Sequence, residues 1–283
     1  EAYYSDYGGT PQELISAAKW GFLYQGQYSI WQHNKRGSPA FFRLRPASFV
    51  NYIQNHDQIA NSAYGSRLHE VTSPGRYRAM TALLLLMPGT PLLFQGQEYG
   101  ASTPFLYFAD HHKELAALVQ KGRAEFLDQF ASIASSHTEF AMGLPQERTT
   151  FERCKLNHEE RRTNAHILAL HRDLLKLRRE DPVFRAQRSD WIHGAVLGDE
   201  SFVLRYFGNP HGDRLLVVNL GRELRLRPGP EPLLAPSTDP QWEILWSSED
   251  PQYRGSGRPP MRKAGTWNIP AHCAVVMYER NSY

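Results

Sequence analysis

The chain has 283 residues, 41% hydrophobic and 22% charged, a balance that excludes a disordered chain and allows a sizeable core in more than one structural unit. Its net charge of +3 comes from scattered Lys and Arg with no basic block interleaved with aromatics, which argues against nucleic acid as a partner. No apolar run reaches the roughly 18 residues of a membrane span, and Cys154 and Cys273 lie far apart without His or Cys at ligand spacing. A reduced, cytoplasmic setting is therefore expected, with no membrane, cofactor or structural metal. The opening at Glu1, without methionine, suggests a processed or truncated start.

In chain order, Thr10-Pro11-Gln12-Glu13 reads as a capping box that starts a helix running to Lys19 or Trp20, where Gly21 ends it. Phe22 to Tyr24 reads as a brief strand. A loop from Gln25 to Arg45 follows, containing Tyr28, Trp31 and His33, and it is too long for a mere connector. Residues 49–58 (FVNYIQNHDQ) read as a buried strand that stops at His56-Asp57. Ser73-Pro74-Gly75 then opens a helix whose Tyr77, Met80, Leu83, Leu84 and Met87 fit a 3.6-residue period with one face inward. Pro88-Gly89-Thr90-Pro91 stops it and launches the strand Pro91 to Phe94, which runs out into Gly96-Gln97-Glu98. Strand, helix, strand with a short return predicts a βαβ unit of parallel neighbours.

Residues 101–160 read as irregular apart from a helix over Leu115 to Phe130. A second helix over 163–180 carries Ile167, Leu168, Leu170, Leu174, Leu175 and Leu177 on one side and ends at Asp181-Pro182. Beyond about residue 190 the texture changes to short strands rich in turn signals: Ser201 to Phe207, the turn Gly208 to Asp213, Arg214 to Asn219, Leu224 to Arg227, Trp242 to Trp246 and Cys273 to Tyr278. Such spacing predicts an antiparallel sandwich. The expected division is 1–188 for the α/β part and 189–283 for the sandwich.

Two readings compete for the chemistry-bearing residues. Asn55, His56 and Asp57 suit the turn after a strand, where Asn and Asp bond nearby backbone amides. In a barrel of alternating strands and helices, however, strand ends converge on one face and carry the active site. Asp57 and Glu98 would then stand at adjacent strand ends, where paired carboxylates serve acid-base or glycosidic chemistry; Glu98 could equally brace an Arg or a backbone amide. Tyr24, Tyr28 and Trp31 are either core or platforms for a sugar face. The consecutive Asp110-His111-His112 cannot all point at one ion from a regular element. His33, His69, His137 and His158 read as solvated loop positions.

FVNYIQNHDQ at 49–58 and GTPLLFQGQE at 89–98 resemble the last motifs of the α-amylase superfamily of (β/α)8-barrel glycoside hydrolases. The His56-Asp57-Gln58 ending, TPFLYFADH at 103–111 and EAYYSDYG at 1–8 are similar to the malto-oligosyltrehalose trehalohydrolase family within it; branching enzymes more often carry Glu at the position of Gln58. The resemblance implies the last strands and helices of a TIM barrel, about strands 6 to 8, followed by a β-sandwich. It implies a retaining hydrolase acting on malto-oligosyl trehalose and maltodextrins, which releases trehalose. Asp57 would be the transition-state stabiliser, with His56, Gln58, Asn55, Tyr28, Trp31 and Glu98 as substrate-binding residues.

The family's nucleophile and general acid come from strands that precede this chain, so the resemblance also implies a partner, the N-terminal half of the same enzyme, and no activity for this chain alone. Glucan branching and a noncatalytic maltodextrin-binding module are the alternatives.

Overall fold

The computed structural model describes residues 2–39, 44–62, 64–130, 143–227, 231–236, 241–257, 260–263 and 265–280; His137 lies outside them. The first helix, α1 (Pro11–Trp20), has the expected capping box, with Thr10 and Glu13 exchanging side chain and backbone bonds, and Gly21 closes it in the left-handed conformation. The expected strand at 22–24 does not form. The chain instead makes an antiparallel hairpin, β1 (Gln25–Ser29) and β2 (Asn34–Gly37), inside the stretch read as loop. Alternating polar residues hid it from a reading based on apolar runs.

The stretch read as one long buried strand is divided. β3 covers Val50–Asn51, and α2 (His56–Ala60) begins at the His-Asp pair. Val50 is 56% exposed, so this strand has an open face rather than a buried one. After the short helix α3 (Leu68–Val71), α4 (Pro74–Leu86) is capped by Ser73 and leads to β4 (Thr90–Pro91), parallel to β3 with Val50 opposite Thr90. Gly89, at a φ of 126°, makes this close return possible, because a Cβ there would stand 2.3 Å from the Asn51 amide nitrogen. β3 and β4 therefore run the same way, and residues 55–58 and 96–98 leave them at the same end.

The helix expected over 115–130 is α5 (Lys113–Leu127), with the His112 imidazole at its N-cap. Short helices α6 (Arg148–Arg153) and α7 (Glu160–Thr163) lead to the long α8 (Ala165–Glu180), and Asp181 caps α9 (Pro182–Arg185). The sandwich strands are β5 (Ile192–Gly198), β6 (Ser201–Tyr206), β7 (Arg214–Asn219), β8 (Leu224–Leu226), β9 (Gln241–Ser247), β10 (Arg262–Lys263), β11 (Thr266–Ile269) and β12 (Cys273–Arg280). They form a five-stranded sheet in the order β5-β6-β7-β12-β9 and a three-stranded sheet β10-β11-β8, with antiparallel pairing throughout. β5, β10 and β11 had no clear sequence signal.

One face of the large sheet packs on the small one through Val203, Val217, Val275, Met277, Trp267 and Ile269. The other face, through Phe202, Leu204, Val218 and Val276, meets α1 and α4. Every residue of β6 and β7 is thus buried, and these strands read as continuous apolar runs because both faces are covered. For the same reason α4 does not present a single face: it is enclosed by α8, β7 and β12, and Ala79 and Thr81 to Leu86 are all buried.

In α8 the deepest residues are Leu170, His171, Leu174 and Arg178, so the helix buries two polar side chains that a leucine count overlooks. Arg178 donates to the carbonyls of Leu85, Met87 and Gly89, satisfying the C-terminal end of α4 and the turn into β4. His171 is 1% exposed; its Nδ1 bonds the Ile167 carbonyl and its Nε2 is unpartnered. Burial holds it below the usual histidine value of 6.5. The unfolded chain therefore takes up this proton first, so stability is unaffected at higher pH and falls as pH drops below about 6.5. A His171→Leu variant should flatten the acid limb of melting temperature against pH; an unchanged slope would show that the other histidines set it.

Candidate active site

The site is built where β3 and β4 end. Asn55 is the N-cap of α2: its side chain accepts from the Gln58 amide at 3.1 Å, and the Gln58 side chain accepts from the Asn55 amide at 3.1 Å. A capping interaction of this kind is worth about 1 kcal/mol. Asn55 thus caps a helix, and the cap sets the position of His56 and Asp57 in the first turn. The bonds use the amide oxygens and leave the Asn55 and Gln58 NH2 groups as donors. His56 Nε2 lies 3.3 Å from Asp57 Oδ1, and both side chains are about two-thirds exposed, at 65% and 69%. Asp57 is therefore a carboxylate held by the backbone and turned toward open space, with a neighbouring imidazole beside it.

Glu98 sits in the 3-10 turn Gln97–Tyr99 beyond β4. It makes an ion pair with Arg161 at 3.9 Å, and Arg161 also covers the Tyr99 ring at 5.3 Å. The two segments are tied together below the surface: the buried Gln54 donates to Gln97 at 3.4 Å and accepts from the Leu68 amide at 2.9 Å. Tyr28 and Trp31 belong to the β1–β2 hairpin. Asp6 anchors that hairpin, accepting from the Ser29 hydroxyl at 2.7 Å and the Trp31 amide at 2.9 Å, and the Ser29 bond holds its carboxyl below the usual range. Tyr28 and Trp31 are 60% and 48% exposed, which makes them surface platforms rather than core; no bond or ring contact joins them to residues 55–58 among the described residues.

Three supporting groups were not singled out in the sequence. Arg67 is fully buried, donating from Nε to the Thr103 carbonyl and from Nη1 to the Gln95 carbonyl, each at 2.7 Å. Arg123, on α5, bonds Asn61 and the Ala60 carbonyl at the end of α2 and stacks on Tyr107 at 4.6 Å. Phe94, Phe105, Phe108 and Phe151 form a chain of edge-to-face contacts with centroids 5.0, 5.8 and 5.1 Å apart. Phe108 and Phe151 floor a cleft of about 660 Å³ rimmed by Asp110, Gln146, Glu147 and Arg148. A lone Arg or a run of Phe gives no local signal of such a role.

His69 is not a loop residue, whereas His158 is an exposed turn residue as expected. His69 lies in α3 against Tyr77 at 5.7 Å, and His158 lies against Tyr99 at 6.3 Å. No group of three or more His, Cys, Asp or Glu is placed to hold a metal ion among the described residues, and no helix there is long and apolar enough to cross a membrane.

Residues 189–267 match a family described as a domain of unknown function, DUF3459. The chain is 39% identical to a malto-oligosyltrehalose trehalohydrolase of Deinococcus radiodurans over 231 residues, covering 80% of this chain and 37% of that protein. It is 35% identical to the enzyme of that name from a Rhizobium species over 240 residues, covering 82% and 38%. The crystal structure of a Salmonella typhimurium protein described as an alpha amylase superposes with a TM-score of 0.75 at 31% identity, covering 98% of this chain and 43% of that one. The chain thus spans under two-fifths of the length of these two curated relatives.

The parallel strand pair, its enclosing helices and the antiparallel sandwich define the class: the chain belongs to the α-amylase superfamily, with the last strands and helices of a (β/α)8 barrel followed by a C-terminal β-sandwich. Within it, the sequence matches are to malto-oligosyltrehalose trehalohydrolases.

Proposed function

We propose that the chain is the C-terminal part of a retaining glycosidase that cleaves the α-1,4 bond next to the terminal trehalose of malto-oligosyl trehalose. The observation that carries this reading is the shared exit of FVNYIQNHDQ and GTPLLFQGQE from two parallel strands, with Asp57 fixed by a cap and unblocked by any Lys or Arg within ion-pair distance among the described residues. A carboxylate so placed stabilises an oxocarbenium-like transition state, where positive charge develops on the sugar. His56 is placed to bond the same ring. Gln58 offers an NH2 donor where Glu would cap the helix equally well but add a second negative charge beside Asp57. That difference bears on the choice of substrate.

A retaining mechanism needs a nucleophile and a general acid about 5 to 5.5 Å apart. On this reading both come from the first five strands, which lie outside this chain and would pair along the exposed β3 side. Residues 1–188 would complete the barrel and 189–283 would form the sandwich. Tyr28, Trp31 and the Phe108–Phe151 cleft would contact the glucan, as apolar faces beside polar groups suit sugars. Glu98 would act with Arg161 as a brace for the loop beyond β4.

The test is trehalose release from malto-oligosyl trehalose by this chain alone and after an N-terminal half is supplied. Release on mixing and not before is the expected result. Maltodextrin binding without turnover on mixing would favour a binding module, and branched products would favour transglycosylation.

A further inference from the structure

Where α4 and α8 meet the C-terminal domain, α3, α4, α8 and the 3-10 turn Pro251–Tyr253 with Arg254 line a cavity of about 290 Å³. Its wall carries His69, Arg78, His166 and Arg254, and its floor is made by Tyr77, Ile167, Leu170 and Tyr253. These residues belong to none of the segments proposed above to touch glucan.

Two of the wall residues have unmet needs. His69 Nδ1 and Arg78 Nε are buried and have no hydrogen-bond partner, and buried polar groups of this kind are normally satisfied. Arg78 is already paired through Nη2 with Glu249 at 2.6 Å, so its charge is partly balanced while its Nε donor is idle. Glu249 in turn accepts from the Ser256 amide and hydroxyl, at 3.2 and 2.9 Å. Arg254 makes no ion pair among the described residues, and it is held at a φ of 59° by the turn that places it on the cavity rim. The nearby Asp173 carboxylate is engaged by the Tyr253 hydroxyl. Arg254 and Arg78 both press on His166, whose pKa is lowered first by burial and then by these two charges, so their fields meet in the same space.

The wall therefore offers guanidinium donors and positive charge, and no carboxylate lines it among the described residues. A complementary ligand must supply acceptor oxygens and negative charge, as a phosphate group does for arginine. The apolar floor and a volume near the lower bound of small-molecule sites ask for a small body attached to that group.

We propose that this cavity binds a small phosphate monoester, with its phosphoryl oxygens on Arg78, Arg254 and the two histidines and its body on Ile167, Leu170 and Tyr253. The proposal does not rest on the glycosidase reading, and its readout does not involve turnover. Glucose 1-phosphate, inorganic phosphate and glucose would each be titrated into the protein while the imidazole resonances of His69 and His166 are followed by NMR. Saturable shifts of both resonances with the ester are expected, with phosphate at least about tenfold weaker and glucose without effect. Arg254→Asn, which tolerates the left-handed backbone, should weaken the ester by about tenfold or more, the loss expected for one charge-assisted contact, at unchanged melting temperature. Because Arg254 is exposed, this variant should fold even where changes at Arg78 do not. Unshifted imidazoles, equal shifts with glucose, equal affinity for phosphate and ester, or an unaffected Arg254→Asn variant would each overturn the proposal.

Discussion

Asp57→Asn, in the protein completed by an N-terminal half, should lower kcat by about 10² to 10³-fold, the size of effect seen when one preorganised electrostatic contact to a transition state is removed. The melting temperature should not move. The side chain is 69% exposed and its one side-chain contact of ion-pair type is with the His56 imidazole, so the amide loses no buried partner and keeps the shape of the first turn of α2. Comparison of kcat with KM sharpens the test. A group that acts on developing charge changes kcat, whereas a group that holds ground-state sugar raises KM with kcat unchanged. Near-normal kcat would mean that the charge is supplied elsewhere and that Asn55-His56-Asp57 is a helix start and nothing more.

Arg67→Met should produce the largest loss of stability among the residues around the site, about 3 kcal/mol. This loss follows from two carbonyls, those of Gln95 and Thr103, left without their charged donor in part-buried surroundings, at about 1 to 3 kcal/mol each, less the gain from no longer burying a cation. Burial lowers the Arg67 pKa, with partial relief from the charges of Glu70 and Glu98. The guanidinium also lies 5.6 Å from the Phe94 ring, beside the turn that carries Glu98. Urea unfolding would give the stability change. A loss below about 1 kcal/mol would show that the loops at 95 and 103 find other donors. Activity of the completed protein should fall as well, through misplacement of the loop beyond β4, and it should do so with a change in KM that Asp57→Asn does not share.

The legible parts of this molecule were those written in local code. The capping box at Thr10–Glu13, the Ser73-Pro74 start of α4, the Asp181-Pro182 stop of α8 and the β6–β7 hairpin each follow from backbone chemistry within a few residues, and each formed where expected. The superfamily was legible too, because FVNYIQNHDQ and GTPLLFQGQE are strings rather than contacts. The same local reading failed at 49–58, where apolar content suggested one strand. The Asn55–Gln58 capping box, four residues of plain helix-start signal, ends the extended segment there and starts α2.

What the sequence determined by itself was the order of elements, the sandwich character of the C-terminal third and the identity of the His-Asp pair, since propensity, caps and motif strings are carried by neighbouring residues. The tertiary structure alone decided what those elements touch. It buried α4, β6 and β7 on all sides, because the five-stranded sheet happens to be covered on both faces. It set Arg67 and Arg178 inside as donors to carbonyls roughly 30 and 90 residues away in the chain, and it gathered His69, Arg78, His166 and Arg254 around one cavity. Pairings over such separations leave no periodic trace in the sequence, because they are fixed by packing geometry and by the need of buried polar groups for partners.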